Sequence, residues 1–205
     1  MAGQSDVSSA ARLAVCLLAI CLTHTGLAQT GLAETGVWQS DPTDSSLEFA
    51  AYYEGERLPG RFQRFSATLE ADQNGSVPQR LRVEVTMASA NMNDDEVNAE
   101  LLGAAFFNTA AFPTAEFESS AIRSVDGGWL ALGTLRIRNR TRTIELPFSW
   151  KVDGGSAVLD GELSLSRTEW GVGSGDWADT SSLADRVDLH YRAAFAPGGL
   201  LQPVQ

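Results

Sequence analysis

The residues able to do acid–base or nucleophilic chemistry are few and scattered. The chain carries two histidines, His24 and His190. A Ser-His-acid relay beyond the N-terminal segment would have to use His190 as its base. That residue stands between Leu189 and Tyr191, on the polar side of an alternating segment with Asp188 and Arg192. Such a side chain faces solvent and not a cleft. The two cysteines, Cys16 and Cys21, fall in an apolar N-terminal stretch, so the rest of the chain holds no thiolate nucleophile and no disulfide. One histidine without a cysteine falls short of the three or four ligands of a zinc site. Two carboxylate pairs remain. Asp94 and Asp95 suit the start of a helix, where acids meet the positive end of its dipole. Asp176 and Asp179 flank Trp177 in a glycine-rich stretch, and an acid pair beside an aromatic can imitate a glycosidase site. Solvated loop acids are the simpler reading. The glycines of Gly171-Val172-Gly173-Ser174-Gly175 lack the strand–helix context of a dinucleotide fingerprint. Arg136, Arg138, Arg140 and Arg142 surround Asn139. They form either a solvated turn or a small positive patch for a polar headgroup or partner protein.

The elements that must position these residues are strands. From Trp38 to Phe195 short apolar/polar alternations recur, the period-two mark of strands with one buried face. Ile144, Leu146, Phe148, Trp150 and Val152 share one side of such a segment. Leu47–Tyr53, Leu81–Met87, Ala157–Leu165 and Val187–Phe195 repeat the pattern. Asn74-Gly75, Asp126-Gly127-Gly128 and Asp153-Gly154-Gly155 separate the runs with the positive φ that tight hairpins need. Between Trp129 and Arg138 the parity of Leu130 and Leu132 opposes that of Leu135 and Ile137, which predicts a bulge at Gly133. One stretch reads as a short helix from Asp94 to Ala104, with Val97, Leu101 and Ala105 at four-residue spacing. Consecutive hairpin-linked strands with a single wet face favour a closed antiparallel barrel over a sandwich, though periodicity alone leaves both open.

Residues 1–28 are set apart. Arg12 precedes the apolar run Leu13–Leu22, and Gly26-Leu27-Ala28 follows. This is the layout of a secretory signal peptide, too short for the roughly 20 residues of a membrane span. Cleavage is expected after Ala28, with Ala33 as the alternative, and the product is expected in the periplasm. Bulky Val15 and Ile20 before the cysteines argue against lipidation. The expected division is a signal peptide (1–28), a linker (29–37), one barrel domain (38–196) and a disordered tail (197–205). Among the 205 residues are 15 basic and 26 acidic ones. Removing residues 1–28 takes away Arg12 and Asp6 and leaves the net charge at −11. That field repels a phosphate backbone, so nucleic acid is not an expected partner.

The ordered motifs resemble the YceI-like family of periplasmic lipid-binding proteins from Trp38 to Phe195. The matching pieces are Trp38-Gln39-Ser40-Asp41-Pro42, Gly60-Arg61-Phe62 with Phe65, and Phe106-Phe107-Asn108-Thr109 with Phe112-Pro113-Thr114-Ala115-Glu116-Phe117. Gly133–Thr141 and Ser166–Gly173 complete the series. The resemblance implies an all-β, lipocalin-like eight-stranded antiparallel barrel with one short helix. It also implies an elongated apolar cavity for a polyisoprenoid chain such as a quinone tail, held non-covalently, with no covalent cofactor and no catalysis. Membranes would be the lipid source, and a membrane cytochrome a partner. The chain departs from the family's pattern at Asp44, near Tyr52 and Tyr53, and at Val97-Asn98-Ala99-Glu100-Leu101, where many members carry histidines or an R-D-x-H-L motif. Headgroup contacts therefore do not carry over.

On this reading the inward rows supply the candidate cavity lining: Phe49, Ala51, Tyr53, Met87, Phe117, Leu135, Phe148, Trp150 and Leu163. Phe106, Phe107 and Phe112 are the candidate wall or lid near the helix. Small inward residues, Ala51, Ala157 and Gly161, would leave room inside. The same rows would also suit a solidly packed barrel that acts as an interaction module.

Overall fold

The computed structural model describes residues 35–200. The expected signal peptide, its two cleavage points, both cysteines and residues 201–205 lie outside the described residues. Described in chain order are β1 (Gly36–Tyr53), β2 (Glu56–Phe62), β3 (Phe65–Ala71), β4 (Pro78–Thr86), β5 (Ala90–Asn91) and the helix α1 (Asp95–Leu102). These are followed by β6 (Thr114–Val125), β7 (Gly128–Ile137), β8 (Arg140–Asp153), β9 (Ser156–Ser166) and β10 (Arg186–Leu200). β2 and β3 are two halves of one bent partner of β1: Leu47 to Tyr53 pair with Phe62 to Glu56, and Gly36 to Gln39 pair with Ala71 to Thr68. With that pair taken as one strand, eight antiparallel strands form the wall. β10 hydrogen-bonds to both β9 and β1, so the sheet closes. Closure removes the long free edges that an open sheet would offer another chain.

The alternation seen in the sequence is the in/out alternation of the wall. The expected bulge lies one strand away from Gly133. Along β7, Trp129, Ala131, Gly133, Leu135 and Ile137 all face inward without a break, while Leu132 faces solvent. The extra residue is Ser120 of β6, because Ser119 pairs with Gly133 and Ala121 with Leu132. Gly133 accommodates this irregularity. A Cβ there would lie 2.4 Å from the Glu118 carbonyl oxygen and 2.7 Å from the Phe117 ring. The bulge also turns the Ser119 hydroxyl toward β4, where it accepts from the Leu81 N–H at 2.8 Å.

The domain boundaries shift as well. Pairing starts at Gly36, inside the expected linker, and continues through Pro197 to Leu200, inside the expected tail. Pro197 does not stop the strand because it sits at a bulge, opposite Trp38, with Gly198 as the extra residue before Gly199 pairs with Val37.

One end of the barrel is solid. Trp38 and Trp150 meet edge to face with centroids 5.8 Å apart, and Trp150 meets Phe195 at 5.3 Å. The turn between β3 and β4 covers them. Gly75 has φ +71, a Cβ on it would lie 2.4 Å from the Trp38 ring, and its carbonyl accepts from Trp150 Nε1 at 2.6 Å. Phe148 packs in the same cluster. Small residues here serve large neighbours: Ala157 is fully buried in this cluster, and the space beside Gly161 is taken by the Tyr191 ring. The expectation that Ala157 and Gly161 leave a hollow is thus overturned.

The seam between β1 and β10 carries a charge network on the outer wall. Asp188 accepts from Arg186 Nε at 2.6 Å, from the Ser164 hydroxyl at 2.6 Å and from the Tyr52 hydroxyl at 2.7 Å. These bonds, Arg186 foremost, hold the Asp188 carboxyl down at about 2. A folded-state value below the unfolded one gives stability that is complete above roughly pH 4 and is lost as pH falls through the folded value. Asp188→Asn should therefore be less stable than the parent at neutral pH, and the gap should close between about pH 4 and pH 2. Urea denaturation across a pH series checks this. A constant gap down to the acid end would refute the assignment.

Candidate functional site

The opposite end is hollow. Helix α1 begins where the sequence places its cap: Asp94 accepts from the Glu96 and Val97 N–H groups, both at 3.0 Å. It ends at Leu102, short of the expected Ala104, because Gly103 leaves helical geometry with ψ 170. The helix lies at the barrel mouth together with the segment 171–184, whose turns rest on positive-φ Gly171, Gly173 and Gly175. Between these elements and the strands is a cavity of about 590 Å³, within the range of small-molecule sites. Leu47, Phe49 and Ala51 of β1, Leu58 and Phe62 of β2, and Val187 and Leu189 of β10 form its strand walls. Deeper in the barrel, Phe117, Leu163 and Tyr191 line a smaller apolar pocket of about 110 Å³. Leu47, Val85, Ala115, Leu135 and Leu189 border both spaces.

The candidate lining residues separate into three groups. Phe49, Ala51, Tyr53, Met87, Phe106, Phe107 and Leu135 do line the main cavity. Phe117 and Leu163 line the deeper pocket. Phe148, Trp150 and Phe112 line neither. Phe148 and Trp150 belong to the solid end, because position along a strand, which parity does not report, decides between plug and cavity. Phe112 is half-buried, with the Arg138 guanidinium 6.0 Å from its ring centroid. Phe62 was absent from the candidates. It joins Phe49 at 5.2 Å and Phe107 at 5.8 Å into one aromatic wall.

Two residues of the late loop matter more than their sequence context suggests. Trp177, read above only as the neighbour of two acids, faces the cavity beside Tyr53 (6.3 Å) and Phe106 (5.6 Å). Its Nε1 donates to Glu100 at 3.2 Å, tying the loop to α1. Arg167 lines the cavity with only 5% of its surface exposed. It donates to four backbone carbonyls: Ala184 (2.9 Å) from Nε, Val172 (2.9 Å) and Gly173 (3.0 Å) from one terminal nitrogen, and Leu183 (2.7 Å) from the other. Burial lowers its pKa, opposed by the nearby Asp185, yet a guanidinium remains charged. Gly173 is needed above it, since a Cβ there would lie 2.3 Å from the guanidinium. A single arginine ahead of a glycine-rich run was the available sequence signal.

The arginine cluster sits on a solvated turn, with Arg136, Asn139, Arg140 and Arg142 all exposed, but its guanidiniums have defined partners. Arg138 donates to the Gly171 carbonyl and to Ala104 at 3.3 Å. Arg140 donates to Thr168 (3.1 Å) and Glu169 (3.3 Å), and Arg142 to Glu169 (3.1 Å). Arg136 instead pairs with Glu116 at 2.7 Å. Three guanidiniums thus clamp the turn that carries Arg167 and Trp170.

The residues weighed for chemistry stay apart. His190 is on the outer wall, 3.8 Å from Asp160. Asp179 caps its own loop by accepting from the Ser181 N–H at 2.8 Å, and these bonds to Ser181 lower its pKa. A glycosidase acid needs the opposite shift. Among the described residues, no three His, Cys, Asp or Glu side chains converge on a metal position.

Comparison with known proteins adds a family. The profile described as YceI-like domain matches residues 38–195, the span over which the sequence motifs run. Over 90 residues the chain is 30% identical to Protein YceI of Escherichia coli O6:H1, covering 43% of this chain and 47% of that protein. A UPF0312 protein of Yersinia pestis (strain Pestoides F) is 28% identical over 89 residues, covering 43% and 46%. These alignments thus span about half the length of the curated relatives. The crystal structure of Burkholderia cenocepacia BcnA superimposes with a TM-score of 0.71 at 26% identity, covering 76% of this chain and 98% of that one. A polyisoprenoid binding domain from Saccharophagus degradans shares the fold with a TM-score of 0.61 at 14% identity, covering 78% and 98%.

Proposed function

Because the chain belongs to the YceI-like domain family, we propose that it is a non-enzymatic carrier that holds one long apolar lipid of isoprenoid type, a quinone tail for example, in the barrel. The observation that carries this reading is the division of the barrel into a solid end and an apolar cavity of about 590 Å³. A barrel acting only as a packed module has no use for such a space, since unfilled apolar volume costs stability. The neighbour described as a polyisoprenoid binding domain shows that this fold can be put to such use. In the carrier reading the protein is exported, works in the periplasm and draws its ligand from a membrane, where a membrane cytochrome is a candidate partner.

Binding of this kind runs on desolvation. Each buried CH₂ is worth roughly 0.8 kcal/mol against water, but a membrane lipid already resides in an apolar phase. Transfer between bilayer and cavity is near balance, so the protein exchanges its cargo and does not sequester it. Purification from the periplasm, solvent extraction and mass spectrometry should yield a stoichiometric isoprenoid or quinone. Protein that is ligand-free when isolated, and still empty after incubation with lipid vesicles, would overturn the carrier.

A further inference from the structure

From the groups around its mouth we infer that the cavity prefers an amphiphile whose polar end is a cationic amine. This inference rests on the cavity being the lipid site and adds the class of head it selects. The lining is almost wholly apolar until the rim, where Glu96 and Glu100 of α1 face it. They stand one helical turn apart on the same side, an arrangement that is unfavourable for two like charges unless a cation intervenes. Beside Glu100 is Trp177, whose Nε1 donates to it, with Tyr53 and Phe106 against the indole, and all three aromatics also line the space. Carboxylates beside aromatic faces form the environment that holds an ammonium group.

The wider surroundings have the same sign. Asp94 and Asp95 stand at the start of α1, and Asp176 and Asp179 stand on either side of Trp177. No lysine or arginine occurs in residues 92–107 or 174–184. At the turn between β1 and β2, Glu54 and Glu56 outnumber Arg57, which borders a separate outer groove. The cation in the cavity wall, Arg167, spends its donors on four carbonyls. Arg138 is likewise turned onto the Gly171 and Ala104 carbonyls. A phosphate or carboxylate head meets repulsion at this rim, while an ammonium is drawn toward it. Glu100 already accepts from Trp177 Nε1, so its carboxylate is held in place at the entrance.

The test uses three probes with one tail, hexadecylamine, hexadecanol and palmitate, titrated below their aggregation limits into the delipidated protein with calorimetric detection. The amine should bind about tenfold or more tighter than palmitate, a difference of roughly 1.4 kcal/mol or more, with the alcohol between them. Added salt should narrow that ratio by screening the rim. In E96Q/E100Q, which keeps the side-chain shape, the amine-to-palmitate ratio should fall toward one. Equal or tighter binding of palmitate by the parent protein would overturn the head preference and leave the carrier intact. Failure of all three probes to bind would overturn both. The salt series on the parent protein decides the matter even if the double variant does not fold.

Discussion

Replacing Arg167 with methionine should cost about 3 kcal/mol or more of folding stability, among the largest effects of any single change in this barrel. The methionine fills much of the volume but provides no donor. The carbonyls of Val172, Gly173, Leu183 and Ala184 would then be left without the group that gathers them, and a buried unsatisfied polar group costs about 1–3 kcal/mol. Part of that loss returns if the loop opens to water. Opening, however, moves Val172 and Leu183 away from the cavity they wall. The variant should therefore show both a lower urea midpoint and weaker lipid retention. Arg167→Lys should not rescue it, because one ammonium nitrogen cannot reproduce the spread of the guanidinium fork. A methionine variant within about 1 kcal/mol of the parent would show that the carbonyls find other partners at little cost.

The second large effect is a contrast between two small inward residues. Gly161→Val should cost about 3 kcal/mol or more, at the upper end for overpacking. Its Cβ would lie 2.4 Å from the Pro147 carbonyl oxygen and 2.5 Å from the Tyr191 ring. The tyrosine cannot swing away freely, since its hydroxyl donates to that same carbonyl. Ala51→Phe places a larger side chain where the cavity has space. It should change stability by less than about 1 kcal/mol while abolishing lipid binding. Thermal unfolding together with lipid extraction reads both. Strong destabilisation by the phenylalanine would mean that the space beside Ala51 is not available.

The contrast also shows what the sequence could disclose. Parity along the strands identified the inward rows, because one face of a closed sheet must be dry. Eight strands and the family followed from alternation, turn glycines and ordered motifs. Parity does not give height along the barrel axis. Trp150 and Phe49 look alike in the sequence, yet one plugs the solid end and the other walls the cavity. The same limit made Gly161 and Ala51 look equivalent. The switch of parity between Leu132 and Leu135 points to a bulge at Gly133, yet Leu132 simply faces solvent and the extra residue is Ser120 across the ladder. Arg167 and the cluster of Arg138, Arg140 and Arg142 stand out in the sequence, but what they bind does not. Their partners are main-chain carbonyls, which leave no trace in residue types.

The stopper of Trp38, Trp150 and Phe195 makes the barrel a sheath with a single opening. Cargo cannot pass through it from one side to the other, so whatever enters tail-first must back out head-first. For the carrier proposed above, the same rim must then face both the membrane that gives the lipid and the acceptor that receives it. In that reading a donor and an acceptor would compete for one docking face, and delivery would require the protein to let go of the first before it meets the second.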